Sequence, residues 1–184
     1  MNIEEKDFNF IQHSKYDISV LKNIVEKLDK EWEENTSRQE KTYSQKDTQS
    51  INIVDFSLQW TPGSTYDPKF VLNNTNLFHE INLIIKDLEN KLDGKVGRVL
   101  LTKLLPNKKI SQHKDYQRYL VLNNRCHIPI ITNEKVNFIV GEESINMKEG
   151  DCWEINNARV HSVINDSDQD RIHLIVDIIS NSYL

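Results

Sequence analysis

The sequence predicts an α+β chain that is mainly β: a double-sheet jelly roll with two helices on its N-terminal side. Three observations predict it. From Lys95 onward, short apolar runs alternate with turn residues about every 8–12 positions, the rhythm of a sandwich or barrel. Ahead of them lie two stretches with apolar residues at helical spacing. The chain has 184 residues, which suits one domain with a sizeable core. The expected organisation is a single domain over 1–184, with a helical flank at 1–95 and the jelly-roll core at 96–184.

In chain order, Asp17 to Glu33 carries Ile18, Leu21, Ile24, Val25, Leu28 and Trp32 on one stripe, which predicts one amphipathic helix. Residues 34–50 are almost entirely polar and read as a long exposed loop, either a lid over a site or a solvated connection. Ile51 to Leu58 reads as a strand, stopped by the turn at Trp60-Thr61-Pro62-Gly63. Leu77 to Leu92 predicts a second helix, with Asn76 or Thr75 as its N-cap and Gly94 just past its end. Strands are then expected at 96–105, 109–113, 119–122, 126–132, 136–140, 152–155, 160–164 and 172–179, with turns between them such as Pro106-Asn107, Gly141-Glu142 and Asn156-Asn157. Short strands in two facing sheets are the jelly-roll, cupin-like arrangement. The two helices would cover the outer face of one sheet.

Composition narrows the function classes. The net charge is −5, so a nucleic-acid partner, which asks for a basic face, is not expected. No apolar run approaches the ~20 residues of a membrane span, and the first residues are too polar for a secretory signal. The two cysteines, Cys126 and Cys152, lie in apolar strand-like contexts and read as small core residues. A reducing, cytoplasmic location is the simplest expectation.

The chemistry centres on Gln112-His113-Lys114-Asp115. On a strand, positions two apart share a face, so His113 and Asp115 can point the same way. With His161 downstream they complete a two-histidine, one-carboxylate set, which leaves positions open on a non-haem Fe(II) for oxygen chemistry. Arg171 follows His161 by ten residues and opens the last apolar run, where a guanidinium can grip a carboxylate with two prongs. A blander reading has Asp115 as a turn residue, His161 as a core histidine and Arg171 on the surface beside Asp168 or Asp170. Arg125 and His127 share one strand face and should line the same cavity. Asn156 and Asn157 either brace the metal site or merely make a turn. Tyr116 and Arg118, just after Asp115, are candidates for the cavity mouth, and His173, two after Arg171, is a further candidate for facing the cavity.

Several separated blocks carry a family resemblance: Arg125-Cys126-His127-Ile128-Pro129-Ile130, Gly150-Asp151-Cys152-Trp153-Glu154-Ile155-Asn156-Asn157, His161-Ser162-Val163 and Arg171-Ile172-His173-Leu174. From about Val99 to Ile179 the chain resembles the aspartyl/asparaginyl β-hydroxylase family of Fe(II)/2-oxoglutarate-dependent oxygenases. The resemblance implies Fe(II), 2-oxoglutarate and O2, with His113 and His161 as iron ligands. It places Arg171 on the distal carboxylate of 2-oxoglutarate, with Thr102 as a hydroxyl partner. Arg125 and His127 would lie near the end that chelates iron. Animal members of the family lack the carboxylate ligand, whereas Asp115 stands here in its place, as in the family's bacterial free-proline hydroxylases. The departure bears on substrate rather than metal. Because no extended basic or aromatic groove for a protein partner is legible, an amino acid or short peptide is the expected small-molecule partner, with Asp or Asn residues of a protein as the alternative. Rivals of another class are a non-redox, cupin-like metal or sugar binder and a metal-dependent isomerase. The oligomeric state is not legible.

Overall fold

A computed structural model of the chain describes residues 6–33, 45–71 and 74–184. Among these, eleven strands form two antiparallel sheets. In chain order the strands are β1 Phe10–Lys15, β2 Thr48–Asp55, β3 Lys69–Phe70, β4 Gly94–Leu104, β5 Lys108–His113, β6 Asn123–Ile131, β7 Val136–Val140, β8 Glu143–Ile145, β9 Asp151–Ile155, β10 His161–Asn165 and β11 Arg171–Ser180. The large sheet runs β1-β9-β6-β11-β4-β2-β3 and the small one β5-β10-β7-β8. The helices are α1 Ser19–Val25, α2 Thr75–Lys91 and α3 Arg118–Leu122.

The large sheet separates two cores. On one face, Ile172, Leu174, Val176 and Ile178 of β11 join Leu21 and Val25 of α1 and Leu77, Ile81, Ile84 and Leu88 of α2. Between the sheets, Leu104 and Ile155 of the large sheet meet Ile110, Phe138, Val140 and Val163 of the small one. The alternation along β11 then decides the site. Because successive side chains point to opposite faces, Arg171, His173, Ile175 and Asp177 are turned away from the helices, into the space between the sheets. Cys126 and Cys152 are free and buried.

Several elements differ from the sequence expectations. The first helix ends at Val25. The chain then turns through Lys27 N–H to Ile24 O and Leu28 N–H to Val25 O, and a short 3₁₀ turn at Lys30–Trp32 buries Trp32 under the Lys103 ammonium, 4.3 Å from its ring. The apolar spacing therefore continued past a helix that did not. Asn74, not Asn76 or Thr75, caps α2 by accepting from Leu77 N–H at 3.1 Å. Asp93 takes the left-handed position after α2, with φ 43°. Gly94 instead opens β4, where a Cβ would collide with the Ile179 carbonyl. The expected strand at 119–122 is helix α3, because five residues are too few for periodicity to separate the two. The flank at 1–95 is not purely helical, since it contributes β1, β2 and β3 to the large sheet. The loop expected over 34–50 lies partly outside the described residues, and Thr48–Ser50 already belong to β2.

Candidate active site

His113 ends β5 and His161 begins β10, and the two are direct cross-strand partners, with ring centroids 4.2 Å apart. The register shifts between this pair and Val163↔Ile110, a bulge of the kind that re-aims a side chain at a sheet rim. Asp115 lies just past β5, its N–H donating to Asn157 O at 3.1 Å. One donor atom from each of His113, Asp115 and His161 lies within 4.8 Å of the others.

The ligands are presented in the right form. His113 Nδ1 is 2.8 Å from Ser111 O, and His161 Nδ1 is 3.0 Å from Arg159 O. Those contacts place the ring protons on Nδ1 and leave both Nε2 lone pairs for a metal. Burial, and then the neighbouring His113, push the His161 pKa down to about 4, so its ring is neutral at neutral pH. Asp115 Oδ2 accepts from Arg125 Nη1 at 2.8 Å and Asn157 Nδ2 at 3.0 Å. Burial alone would raise the Asp115 pKa. Arg125, the two histidines and the Asn157 hydrogen bond outweigh it and hold the carboxyl below its usual range. A neutral-imidazole, ionised-carboxylate set is what a divalent metal needs.

These groups line a cavity of about 730 Å³ between the sheets, shared with Thr102, Arg125, His127 and Arg171. Arg171 is 1% exposed. Its Nη2 donates to His173 Nδ1 at 2.6 Å, and its Nε is buried without a hydrogen-bond partner. No carboxylate among the described residues pairs with it; Asp170, a candidate partner, sits 3.8 Å from Lys103 Nζ instead. Burial lowers its pKa to about 9. Thr102 and His173 are cross-strand partners on β4 and β11.

A model of the aspartyl/asparaginyl beta-hydroxylase family matches residues 19–181. The chain belongs to this family. It is therefore a hydroxylase of the Fe(II)/2-oxoglutarate-dependent type, acting on a small-molecule or peptide substrate. Solved structures that share its fold include the following two. One is an oxidoreductase of the 2OG-Fe(II) oxygenase family from Burkholderia pseudomallei, 14% identical over 73% of this chain and 69% of that chain, with TM-score 0.57. The other is the viral collagen prolyl hydroxylase of Paramecium bursaria Chlorella virus-1 in its 2OG complex, 8% identical over 95% and 97%, with TM-score 0.60. No curated protein matches the chain. No helix among the described residues is long and apolar enough to cross a membrane.

Other residues of this hydroxylase stand differently from expectation. Arg125 reaches the cavity, but its guanidinium is committed: Nη1 to Asp115, and Nε and Nη2 to Asp177 at 2.8 and 2.9 Å. Arg118 is exposed on α3 and does not line the cavity. Tyr116, 83% exposed, stands at the mouth. Asn156 ties down the N-terminal segment through Lys6 O and Phe8 O, so only Asn157 braces the metal cluster. Residue spacing assigns no role to His173 and does not single out Asp177, because their pairings depend on strand register.

Proposed function

We propose that this hydroxylase uses Fe(II), 2-oxoglutarate and O2 to hydroxylate an unactivated carbon of an amino acid or amino-acid-like small substrate, free or in a peptide. One observation carries the reading. A buried guanidinium has no carboxylate partner among the described residues, and it shares a cavity with a His-Asp-His cluster. An unpaired buried cation costs several kcal/mol, and a co-substrate carboxylate removes that cost. A simple metal or sugar binder has no use for it.

In this reading His113 Nε2, His161 Nε2 and Asp115 Oδ1 hold the iron. When bound, the iron supplies the oxidation, in which 2-oxoglutarate and O2 become succinate and CO2 while a substrate C–H becomes C–OH. The protein's own residues position and shield. Arg171, oriented by His173, takes the distal carboxylate of 2-oxoglutarate, and Thr102 offers its hydroxyl beside it. His127 faces the chelating end. Arg125 serves that end through Asp115, whose Oδ2 it fixes so that Oδ1 is left for the metal. The apolar walls from Ile110, Phe138 and Val163 exclude water from the reacting centre.

The test is anaerobic. Fe(II) with 2-oxoglutarate should give a weak visible charge-transfer band, which His113→Ala and His161→Ala abolish. Wild-type protein with no band, and no succinate from any amino acid or short peptide, would sink the proposal.

A further inference from the structure

Arg98 lies on β4, four residues before Thr102, and lines the same cavity. At about 3.3 Å per residue the two positions are about 13 Å apart along the strand. Arg98 is therefore at the opposite end from Arg171 and on the Asp115 side. Its backbone N–H donates to Tyr119 Oη at 2.8 Å, and Tyr119 Oη donates in turn to Asp177. The Arg98 guanidinium itself makes no hydrogen bond or ion pair among the described residues. Burial, and then the like charge of Arg125, lower its pKa. The opposing charges acting on it are Asp177, already held by two prongs of Arg125, and Asp55, which is exposed at the end of β2; the Tyr119 hydroxyl, which donates to Asp177, is neutral.

Charge counting makes the gap specific. The cavity and its wall hold three guanidiniums, Arg98, Arg125 and Arg171, against two carboxylates, Asp115 and Asp177. A divalent iron adds two positive charges, and 2-oxoglutarate takes two away. The excess positive charge is carried by Lys114, which is exposed to solvent, and by Arg98, the guanidinium without an assigned partner. Leu58 and Leu120, which pack around Tyr119, give this end of the cavity an apolar wall.

We propose that Arg98 is the receptor for a free carboxylate on the primary substrate, so that the enzyme acts on a small acid with an aliphatic body rather than on an internal residue of a protein. The inference rests on the Fe(II)/2-oxoglutarate reading and names the substrate class of the same site. Arg125 cannot serve in its place, because each of its hydrogen-bonded nitrogens already faces Asp115 or Asp177.

The test uses protein loaded with redox-inert Zn(II) and 2-oxoglutarate, whose binding is measured first. It is then titrated calorimetrically with L-proline, L-leucine, N-acetyl-L-leucine and the primary amide of each. At least one acid should bind ten-fold or more tightly than its amide. Arg98→Gln should bring that ratio within two-fold while Zn(II) and 2-oxoglutarate affinities stay within three-fold of wild type. Arg98→Lys, which keeps the charge, should retain part of the preference. Equal binding of acids and amides, no binding of any acid, or a preference untouched by Arg98→Gln overturns the proposal. Failure of 2-oxoglutarate to bind the Zn(II) protein strikes the underlying reading as well, whereas failure only in the acid–amide comparison strikes Arg98 alone.

Discussion

Asp115 receives two hydrogen bonds on one oxygen, from Arg125 and Asn157, and this leaves the other oxygen for a metal. Such supporting donors orient a ligand and are worth roughly 10- to 100-fold in metal affinity. Asn157→Ala should therefore weaken Fe(II) or Zn(II) binding by about that factor in a chelator-competition titration, with the His113 and His161 contacts intact. An unchanged affinity would show that Arg125 alone positions the carboxylate. Arg171 sets a second residue-scale prediction. A lysine keeps the charge but loses the planar fork that His173 orients. Arg171→Lys should weaken 2-oxoglutarate binding by roughly 10- to 100-fold while leaving metal binding intact, read from the charge-transfer band. The candidate ligands and Arg171 were legible because their spacing, two residues for His113 and Asp115 and ten from His161 to Arg171, is a local property of the chain. Their partners were not. Arg125 meets Asp177 because the two are directly opposed across β6 and β11, and that register is set by packing far from either residue.

At the scale of elements, the strands of the jelly-roll core and the second helix were legible, whereas β1, β3 and β8 were not. Val136–Val140 alternates between buried and more exposed positions, and α2 keeps one apolar stripe over its whole length. β1 lacks such alternation because it is a largely exposed edge strand, and β8 has only three residues. What ties β1 to the sheet is its ladder with β9 and one buried carboxylate. Glu154 accepts from Lys6 Nζ at 2.9 Å and pairs with His13 Nε2 at 2.8 Å. Burial alone would raise the Glu154 pKa, but His13 and Lys6 together bring it below its ordinary 4.5. A folded-state pKa below the unfolded one means that the unfolded chain binds more protons in acid. The contribution of Glu154 is therefore fully present above pH 4.5 and is lost as pH falls through its lowered folded value. Urea midpoints measured from pH 7 downward should fall more steeply in wild type than in Glu154→Gln. Parallel slopes would mean that the ladder alone holds β1.

For the whole molecule, the site is where the two sheets meet. His113 and His161 belong to the small sheet, and Arg171, Thr102, Arg98 and Arg125 to the large one. Without ligands, the inter-sheet space carries guanidiniums in excess of carboxylates, which disfavours closing the sheets on one another. In the proposed site, a metal at the His-Asp-His cluster and 2-oxoglutarate reaching from it to Arg171 would give each group an opposite charge and would bridge both sheets. A ligand that binds only the folded state at 100 times its Kd stabilises by about 2.7 kcal/mol. In a chain of this size each kcal/mol moves Tm by about 2–4 °C, so Zn(II) plus 2-oxoglutarate should raise Tm by roughly 5–10 °C. 2-Oxoglutarate without metal should do much less, because Arg171 then holds one end of a ligand whose other end meets no cation at the His-Asp-His cluster. A chelator should return Tm to the ligand-free value. Equal shifts from 2-oxoglutarate with and without Zn(II) would separate the arginine site from the metal cluster, and with it the claim that one co-substrate spans the two sheets.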